Sequence, residues 1–376
     1  MPLSPPESRT VRTVLVITKH NFMGDTIVAT PLLRGVRHAF PQAAITLLTG
    51  GAAAQTLLEF PFVDNIEAYD PKRTQKGAAA SWRLICALRG RIGGSPDLCL
   101  VADRSVRAAL IALLCRARVR AGFDTEGRGC LLTHRVPYDL EKRESECCLD
   151  ILRAVTAPGP LSDTLAGSLA DPMPLLCITE TERRRGAAIL REREALGPVL
   201  VGIQPGASYR AKQWDPSRFA EVARALAGEG ASIVLLGSGT TERDASRVLR
   251  EAMGERFPVV DLTGETSMRE TMGILAHLSL FIGNDTGVSH IAAALGTPTV
   301  SLFGPTLAEK WGEASPRNLV IAAPDGCLKK LEVAPVLSAA RTLLLSSSPP
   351  NPVSPSDPTA AADSAIPSTF ALGANR

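Results

Sequence analysis

Phe281-Ile282-Gly283-Asn284-Asp285-Thr286-Gly287-Val288-Ser289-His290, continuing into Ile291-Ala292-Ala293-Ala294-Leu295-Gly296, is the stretch that decides how this chain folds. Leu280 to Gly283 is a short apolar run that reads as a buried strand. It breaks at Asn284-Asp285 and restarts as a helix of small residues, with Asp285 in the position of an N-cap. The first four N–H groups of a helix lack internal partners, and the helix dipole places partial positive charge there. Thr286 and Gly287 fall in that first turn, where a glycine lets an anion approach the backbone. His290 follows one turn later with a further donor. The pattern suits a phosphate site at the carboxyl end of a strand, where open α/β sheets bind ligands. A capped core helix without a ligand would look the same from these residues alone.

Working outward, the same alternation recurs on both sides. Thr13 to Thr18, Ile45 to Leu48, Val63 to Ala68, Leu98 to Ala102 and Arg118 to Gly122 read as strands. Helical stretches run from Thr26 to Phe40, Trp82 to Leu88, Ala108 to Cys115 and Glu141 to Val155. Pro and Gly between 157 and 174 then break the pattern. The second half repeats the scheme: a helix over 180–196, strands at 199–204, 232–236 and 259–260, helices from Asp215-Pro216, from Thr241 and over 268–277, a strand at 299–303 and a last helix over 331–345. Strands alternating with helices imply an α/β protein with mostly parallel sheets. The chain of 376 residues has length for two domains by the usual prior of about 150 residues each. We divide it into a lead-in (1–12), a first domain (13–172), a second domain (173–345) and a Pro-, Ser- and Ala-rich tail (346–376) read as disordered.

Composition narrows the function. The formal charge is only +3 and aromatics make up 4%, which argues against nucleic acid as a partner and against stacking platforms for single strands. None of the eight cysteines lies in a Cys-x-x-Cys pair, and Cys86, Cys99, Cys115 and Cys177 sit in apolar runs, so they read as buried thiols of a reducing cytoplasm. No secretion signal or membrane-spanning run is visible, which places the protein in the cytoplasm, at most bound to a membrane surface. Twelve cations crowd the first half (Lys72, Arg73, Lys76, Arg83, Arg89, Arg91, Arg104, Arg107, Arg116, Arg118, Arg120 and Arg128); an anionic acceptor or membrane surface would suit them if they share a side.

Three further clusters carry candidate chemistry. Asp25, after Gly24 in the loop beyond the first strand, reads as a general base or as the cap of a helix starting at Thr26. Pro205-Gly206-Ala207-Ser208-Tyr209-Arg210-Ala211-Lys212-Gln213-Trp214 offers backbone N–H groups, the Ser208 hydroxyl and the mobile charge of Lys212 to a leaving phosphate. Trp214 would pack this loop against the following helix. Gly237-Ser238-Gly239 half-matches the dinucleotide fingerprint without its third glycine; it is the one feature favouring an NAD-dependent oxidoreductase or epimerase. Glu242 there reads as a ribose acceptor or as an exposed first-turn acid. Phe303-Gly304-Pro305-Thr306 could line the same cleft or be a plain turn. Asn284-Asp285-Thr286 spells a glycosylation acceptor, but at a buried strand–helix junction. No P-loop, His-Glu-x-x-His, Gly-x-Ser-x-Gly or Asp-x-Asp pair occurs, so no metal site or cofactor is expected.

Together these motifs resemble the heptosyltransferases, glycosyltransferase family 9. The resemblance rests on Leu15-Val16-Ile17 through Gly24-Asp25, Thr30-Pro31-Leu32-Leu33 and Phe40-Pro41; on Pro205-Gly206-Ala207, Lys212-Gln213-Trp214 and Phe219; and on Gly283 to Gly287, Ser289-His290, Ala292 to Pro298 and Phe303 to Thr306. It implies a GT-B fold, with two Rossmann-like domains facing each other across a cleft. It also implies inverting, metal-independent transfer of a heptose from ADP-heptose to the lipopolysaccharide inner core, an anionic glycolipid acceptor. By position, Asp25 would be the base, Ser208 and Lys212 would hold the donor phosphates, and Glu242 would meet the ribose or sugar. Asp285, Thr286, Gly287 and His290 would bind the heptose and diphosphate. Phe22 departs from the small polar residue common before Gly-Asp. Another nucleotide sugar, or a binding protein that kept the shape without catalysis, are the competing readings.

Overall fold

The computed structural model describes residues 10–70, 77–156, 172–195 and 197–346. The lead-in up to residue 9, Lys72, Arg73 and Lys76, most of the expected domain break (157–171) and the tail from 347 lie outside them.

Two six-stranded parallel sheets form the frame. The first contains β1 (Thr13–Ile17), β2 (Ala44–Thr49), β3 (Asn65–Ala68), β4 (Leu98–Val101), β5 (Val119–Phe123) and β6 (His134–Val136), in the order β3-β2-β1-β4-β5-β6. The second contains β7 (Leu200–Gln204), β8 (Ser232–Leu235), β9 (Val259–Asp261), β10 (Leu280–Asn284), β11 (Thr299–Phe303) and β12 (Asn318–Ala322), in the order β12-β11-β10-β7-β8-β9. Counted from its own first strand, the second sheet repeats the order of the first, the doubly wound 3-2-1-4-5-6 arrangement of a Rossmann fold. The central strands are buried on both faces, which is why they read as unbroken apolar runs such as Val14 to Ile17.

Chain order reverses between β1 and β4 in one sheet and between β7 and β10 in the other. These switch points open at the carboxyl ends of the strands, so the loops after β1, β7 and β10 are where ligands belong.

The expected helix over 26–40 is two helices, α1 (Met23–Val28) and α2 (Thr30–Ala39). Pro31 has no N–H for the Ile27 carbonyl, and its ring crowds that carbonyl. The Thr30 hydroxyl takes over, donating to Ile27 O at 2.7 Å. Two edge strands went unread. β6 is only His-Arg-Val, and β12 is a five-residue run between Pro316 and Pro324, too short for period alone to separate strand from loop. Downstream the local signals hold: Asp215 caps the helix α8 (Pro216–Gly228) by accepting from Ser217 N at 2.9 Å. Trp214 is fully buried edge-on to Phe219, 4.8 Å between centroids.

The halves meet over a broad apolar contact. One core cluster runs from Val14, Leu32 and Leu47 in the first half to Leu176, Met272 and Ile291 in the second. Polar links cross as well: Leu175 N donates to Thr30 Oγ1 at 3.0 Å. Lys310, 4% exposed, reaches into the first half. There its ammonium donates to Asp139 O and Lys142 O at 2.9 Å, lies 3.5 Å from Glu144 Oε2 and sits 4.4 Å from the centre of the Tyr138 ring.

Two expectations about side-chain placement need correcting. All eight cysteines are free, but Cys86 and Cys130 are exposed and Cys177 is half-buried. Cys86 lies on the outer stripe of its helix, where an apolar sequence does not guarantee burial. Arg128 is not a surface cation. It is 1% exposed and donates to Phe123 O at 2.8 Å and Asp103 O at 2.5 Å, and burial pushes its guanidinium down to about 10.

Candidate active site

The loop after β1 is anchored from within. Thr18, Thr26 and Thr49 join hydroxyls in a buried triangle with sides of 2.8 to 3.0 Å. This fixes the start of α1, where Asp25 is the third residue. The capping expectation fails: α1 begins at Met23, its N-cap is Phe22, and no side chain caps it. The Asp25 carboxylate instead accepts from Lys19 Nζ at 2.5 Å. Burial raises the Asp25 pKa above its ordinary value, and the Lys19 ammonium opposes that rise without cancelling it. Lys19 also faces the Trp311 ring at 5.4 Å and the Phe22 ring at 5.7 Å.

The facing wall comes from β7, β10 and α11 (Gly287–Ala294). Asn284, wholly buried, stitches the loop after β7 to the end of β10. Its side-chain oxygen accepts from Trp214 N at 2.9 Å, and its amide donates to Pro205 O and Gly206 O at 3.1 and 3.2 Å. That burial disposes of the glycosylation reading. Thr286, not Asp285, is the N-cap of α11, and its hydroxyl donates to Gln204 Oε1 at 2.6 Å rather than to the helix. No side chain therefore caps the first turn of α11.

Asp285 is released from capping because three donors claim it. Lys212 Nζ at 2.7 Å and Thr306 Oγ1 at 2.5 Å reach one oxygen, and His290 Nε2 lies 3.3 Å from the other. Burial works against its charge, but His290, Lys212 and Thr306 together hold its pKa well below the usual carboxylate range. His290 in turn places Nδ1 2.6 Å from Glu313 Oε1. Burial would strip its proton; Glu313 and Asp285 outweigh that and push the imidazole up to about 10. His290 is thus a charged group, clamped from both sides.

The two walls touch. A side chain on Gly24 would place its Cβ 2.8 Å from His290 Cδ2, and one on Gly287 would meet the Met23 methyl. Only glycines allow the starts of α1 and α11 to abut. Beside this contact opens a cleft of about 510 Å3 lined by Asp25, Ser208, Lys212, Asp285, Thr286, Gly287 and His290, with Lys19, Tyr209, Thr306 and Trp311. A cavity of this size fits an ordinary small-molecule site.

Seven of the eight sequence candidates therefore share one cleft. Glu242 does not line it. It lies half-buried in the first turn of α9 (Thr240–Met253), with its side chain folded against Gly206, Gly237 and Gly239. A carboxylate lying over that glycine turn repels the pyrophosphate a dinucleotide site would place there, which removes the physical basis of the NAD reading. Lys19 and Glu313 were missed. Lys19 stands six residues before Asp25 with no motif to mark it, and Glu313 lies in a loop where nothing in the sequence points at His290. Among the described residues, no group of three or more His, Cys, Asp or Glu side chains is arranged to hold a metal ion. The cleft lining includes the cationic side chains Lys19, Lys212 and His290.

Comparison with known proteins agrees with this geometry. A family model described as glycosyltransferase family 9 (heptosyltransferase) matches residues 83–339. The chain is 41% identical over 294 residues to lipopolysaccharide heptosyltransferase 3 of Escherichia coli, covering 76% of this chain and 80% of that protein. It is 25% identical over 326 residues to lipooligosaccharide heptosyltransferase 2 of Haemophilus influenzae, covering 84% and 90%. Among solved structures, a family 9 glycosyltransferase from Veillonella parvula superposes with a TM-score of 0.77 at 21% identity, over 92% of this chain and 99% of that one. The two doubly wound sheets and the cleft between them are the GT-B arrangement. The chain belongs to glycosyltransferase family 9, the heptosyltransferase family, and is a glycosyltransferase.

Proposed function

We propose that this enzyme moves a heptose from ADP-heptose to an anionic glycolipid acceptor of the lipopolysaccharide inner core, with inversion and without a metal ion. The observation that carries the reading is the pairing of walls. Asp25 from the first half and Lys212 with the start of α11 from the second face one cleft. Direct displacement needs a base on one side of the anomeric carbon and a diphosphate sink on the other.

In this reading the Asp25 carboxylate takes the proton of the acceptor hydroxyl as that oxygen attacks the anomeric carbon. The bond to the diphosphate breaks on the opposite face, and the departing charge meets Lys212, the Ser208 hydroxyl and the uncapped N–H groups of Thr286 and Gly287. The His290 imidazolium and Lys212 together offset the charges of Asp285 and Glu313, so the wall is not left negative although Asp285 is ionised. Burial of Asp25 raises its basicity, the direction a general base near neutral pH requires. The resemblance would give Glu242 contact with the ribose or sugar, but it lies outside the cleft, folded against Gly206, Gly237 and Gly239, and this mechanism assigns it no step. The donor and acceptor are supported by relatives named as heptosyltransferases of lipopolysaccharide, one of them a solved Escherichia coli ADP-heptose enzyme. The reaction would take place in the cytoplasm, at the inner face of the membrane that holds the acceptor.

The test is Asp25→Asn in a transfer assay run with a chelator present. Transfer should fall by about two to four orders of magnitude, while ADP and ADP-heptose still raise the melting temperature as they do for the wild type. Unchanged turnover would sink the base assignment. Stabilisation by UDP or GDP sugars instead of ADP-heptose would keep the reaction and change the sugar.

A further inference from the structure

The outer face of the first half carries a feature that the transfer reaction does not use. Helices α4 (Gly77–Ile92) and α5 (Val106–Leu114) cover the same face of the first sheet, where Leu84, Ile85, Leu88, Ala108, Ile111 and Ala112 share a core with Leu15 and Val101. A surface helix normally turns polar residues outward. The outward stripe of α5 is instead Val106, Leu110, Leu113 and Leu114, all 37 to 44% exposed, and Trp82 on α4 is 57% exposed. Trp82, Cys86 and Arg89 share one stripe of α4, and Ile85 and Leu88 on its inner side lie in one buried cluster with Ala112 of α5 and Cys115 at its end. The two helices therefore present neighbouring surfaces.

The segments that carry this stripe hold only basic charge, although Arg91 of α4 pairs with Glu67 at 3.2 Å. Residues 77–96 and 104–123 contain eight arginines and no Asp or Glu. Arg83, Arg107, Arg116 and Arg118 are exposed and lie next to these apolar residues in sequence. Arg116 adopts a left-handed backbone (φ 58°) just past the end of α5, where glycine is the unstrained choice. Such a face matches neither water nor a nucleic-acid backbone, which has no use for a leucine stripe. It matches the interfacial zone of a bilayer, where apolar side chains enter the acyl boundary and arginines meet anionic headgroups.

We propose that the outer face of α4 and α5 docks on an anionic lipid bilayer. Among the described residues no helix is long and apolar enough to cross a membrane, so the contact is peripheral. The placement suits the chemistry: α5 starts three residues past Asp103, which lies 3.9 Å from His20 in the loop leading to Asp25. One end of the docked face thus adjoins the base side of the cleft. The proposal stands on the surface itself and holds whichever sugar is moved.

The experiment uses the full chain with vesicles of phosphatidylethanolamine and phosphatidylglycerol, against vesicles of phosphatidylcholine alone. The wild type should sediment with the anionic vesicles, less so as salt rises, and brominated lipid should quench Trp82. The variant Leu110→Glu/Leu114→Glu should lose at least tenfold in partitioning. Arg116→Gln/Arg118→Gln should lose roughly fivefold per arginine. Both should keep wild-type melting temperature and wild-type transfer to a delipidated, soluble acceptor. A wild type that stays in the supernatant with anionic vesicles overturns the proposal, as does a Leu110→Glu/Leu114→Glu variant that sediments unchanged. A lipid-free dimer that the leucine variant converts to monomer would overturn it in favour of a second copy on this face.

Discussion

Replacing Glu313 by Gln tests the charge arrangement of the cleft wall directly. The amide keeps the size of the carboxylate and an oxygen for His290 Nδ1, now 2.6 Å from Glu313 Oε1, but removes the charge. The wild-type imidazole is pushed from 6.5 to about 10 by Glu313 and Asp285 against the pull of burial. At about 1.4 kcal/mol per unit the shift corresponds to roughly 4–5 kcal/mol, and breaking a buried ion pair by removing one partner costs about 3–5 kcal/mol. Glu313 is the largest of the opposing influences, so its loss should remove about half or more, roughly 2–3 kcal/mol near neutral pH. The sign of the pH dependence follows from a raised folded pKa. The stabilisation is complete below the unfolded histidine value of about 6.5 and is lost as pH climbs through about 10. Urea unfolding, followed by the fluorescence of buried Trp214, should show a stability gap between wild type and variant that is full at about pH 6.5, persists near neutral pH and closes towards pH 10. Proton NMR of the five histidines, with His290→Gln to assign the signal, should show one ring still protonated well above neutrality. Equal urea midpoints near neutral pH, or a His290 signal titrating near 6.5, would refute the reasoning.

Three further outcomes follow from named contacts. In Lys19→Met, Asp25 loses the cation that opposes its raised pKa, so the acid limb of the kcat/KM profile should move to higher pH; a limb that stays put would remove Lys19 from control of the base. Gly24→Ala places a methyl 2.8 Å from a His290 ring that two carboxylates hold still. The walls must part by a few tenths of an ångström, and kcat/KM should fall by about tenfold or more with little change in melting temperature; full activity would show that the close approach is incidental. Lys310→Met strips the buried ammonium from Asp139 O, Lys142 O and Glu144, and differential scanning calorimetry should register a loss of about 3 kcal/mol. An unchanged transition would mean that Lys310 does not tie the halves together.

What was legible in the sequence divides along a physical line. Strand, turn and helix follow from local chemistry, and there the reading was close. The runs at Val14 to Ile17 and Phe281 to Gly283 are core strands because both faces are covered, and Asp215-Pro216 opens a helix as its residue types demand. The loop motifs converged because three of them follow strands that flank a switch point. Partner choice was not legible. Asp285 and Asp25 have the composition of caps, and each is drawn away by a lysine that local sequence does not connect to it: Lys212 is 73 positions from Asp285. The same limit hid Glu313. It also hid Arg128, which reads as one more surface cation until two backbone carbonyls claim its guanidinium.

On the proposed reading, the charges of the cleft would moderate how tightly a donor diphosphate is held. In this structure each lysine of the cleft is already engaged, Lys19 with Asp25 and Lys212 with Asp285. An arriving diphosphate competes with a carboxylate for Lys212, so part of its Coulomb attraction replaces an existing pair and the net gain is moderated. Asp285 tolerates the loss because Thr306 and the clamped His290 still bind it. Lys19 is the more consequential case. If phosphate charge draws it from Asp25, burial of that carboxylate goes unopposed and its proton affinity rises at the moment the electrophile arrives. If Asp25 is the base, as proposed, it would then be strongest only with donor in place, which would link acceptor deprotonation to donor occupancy through a single short ion pair.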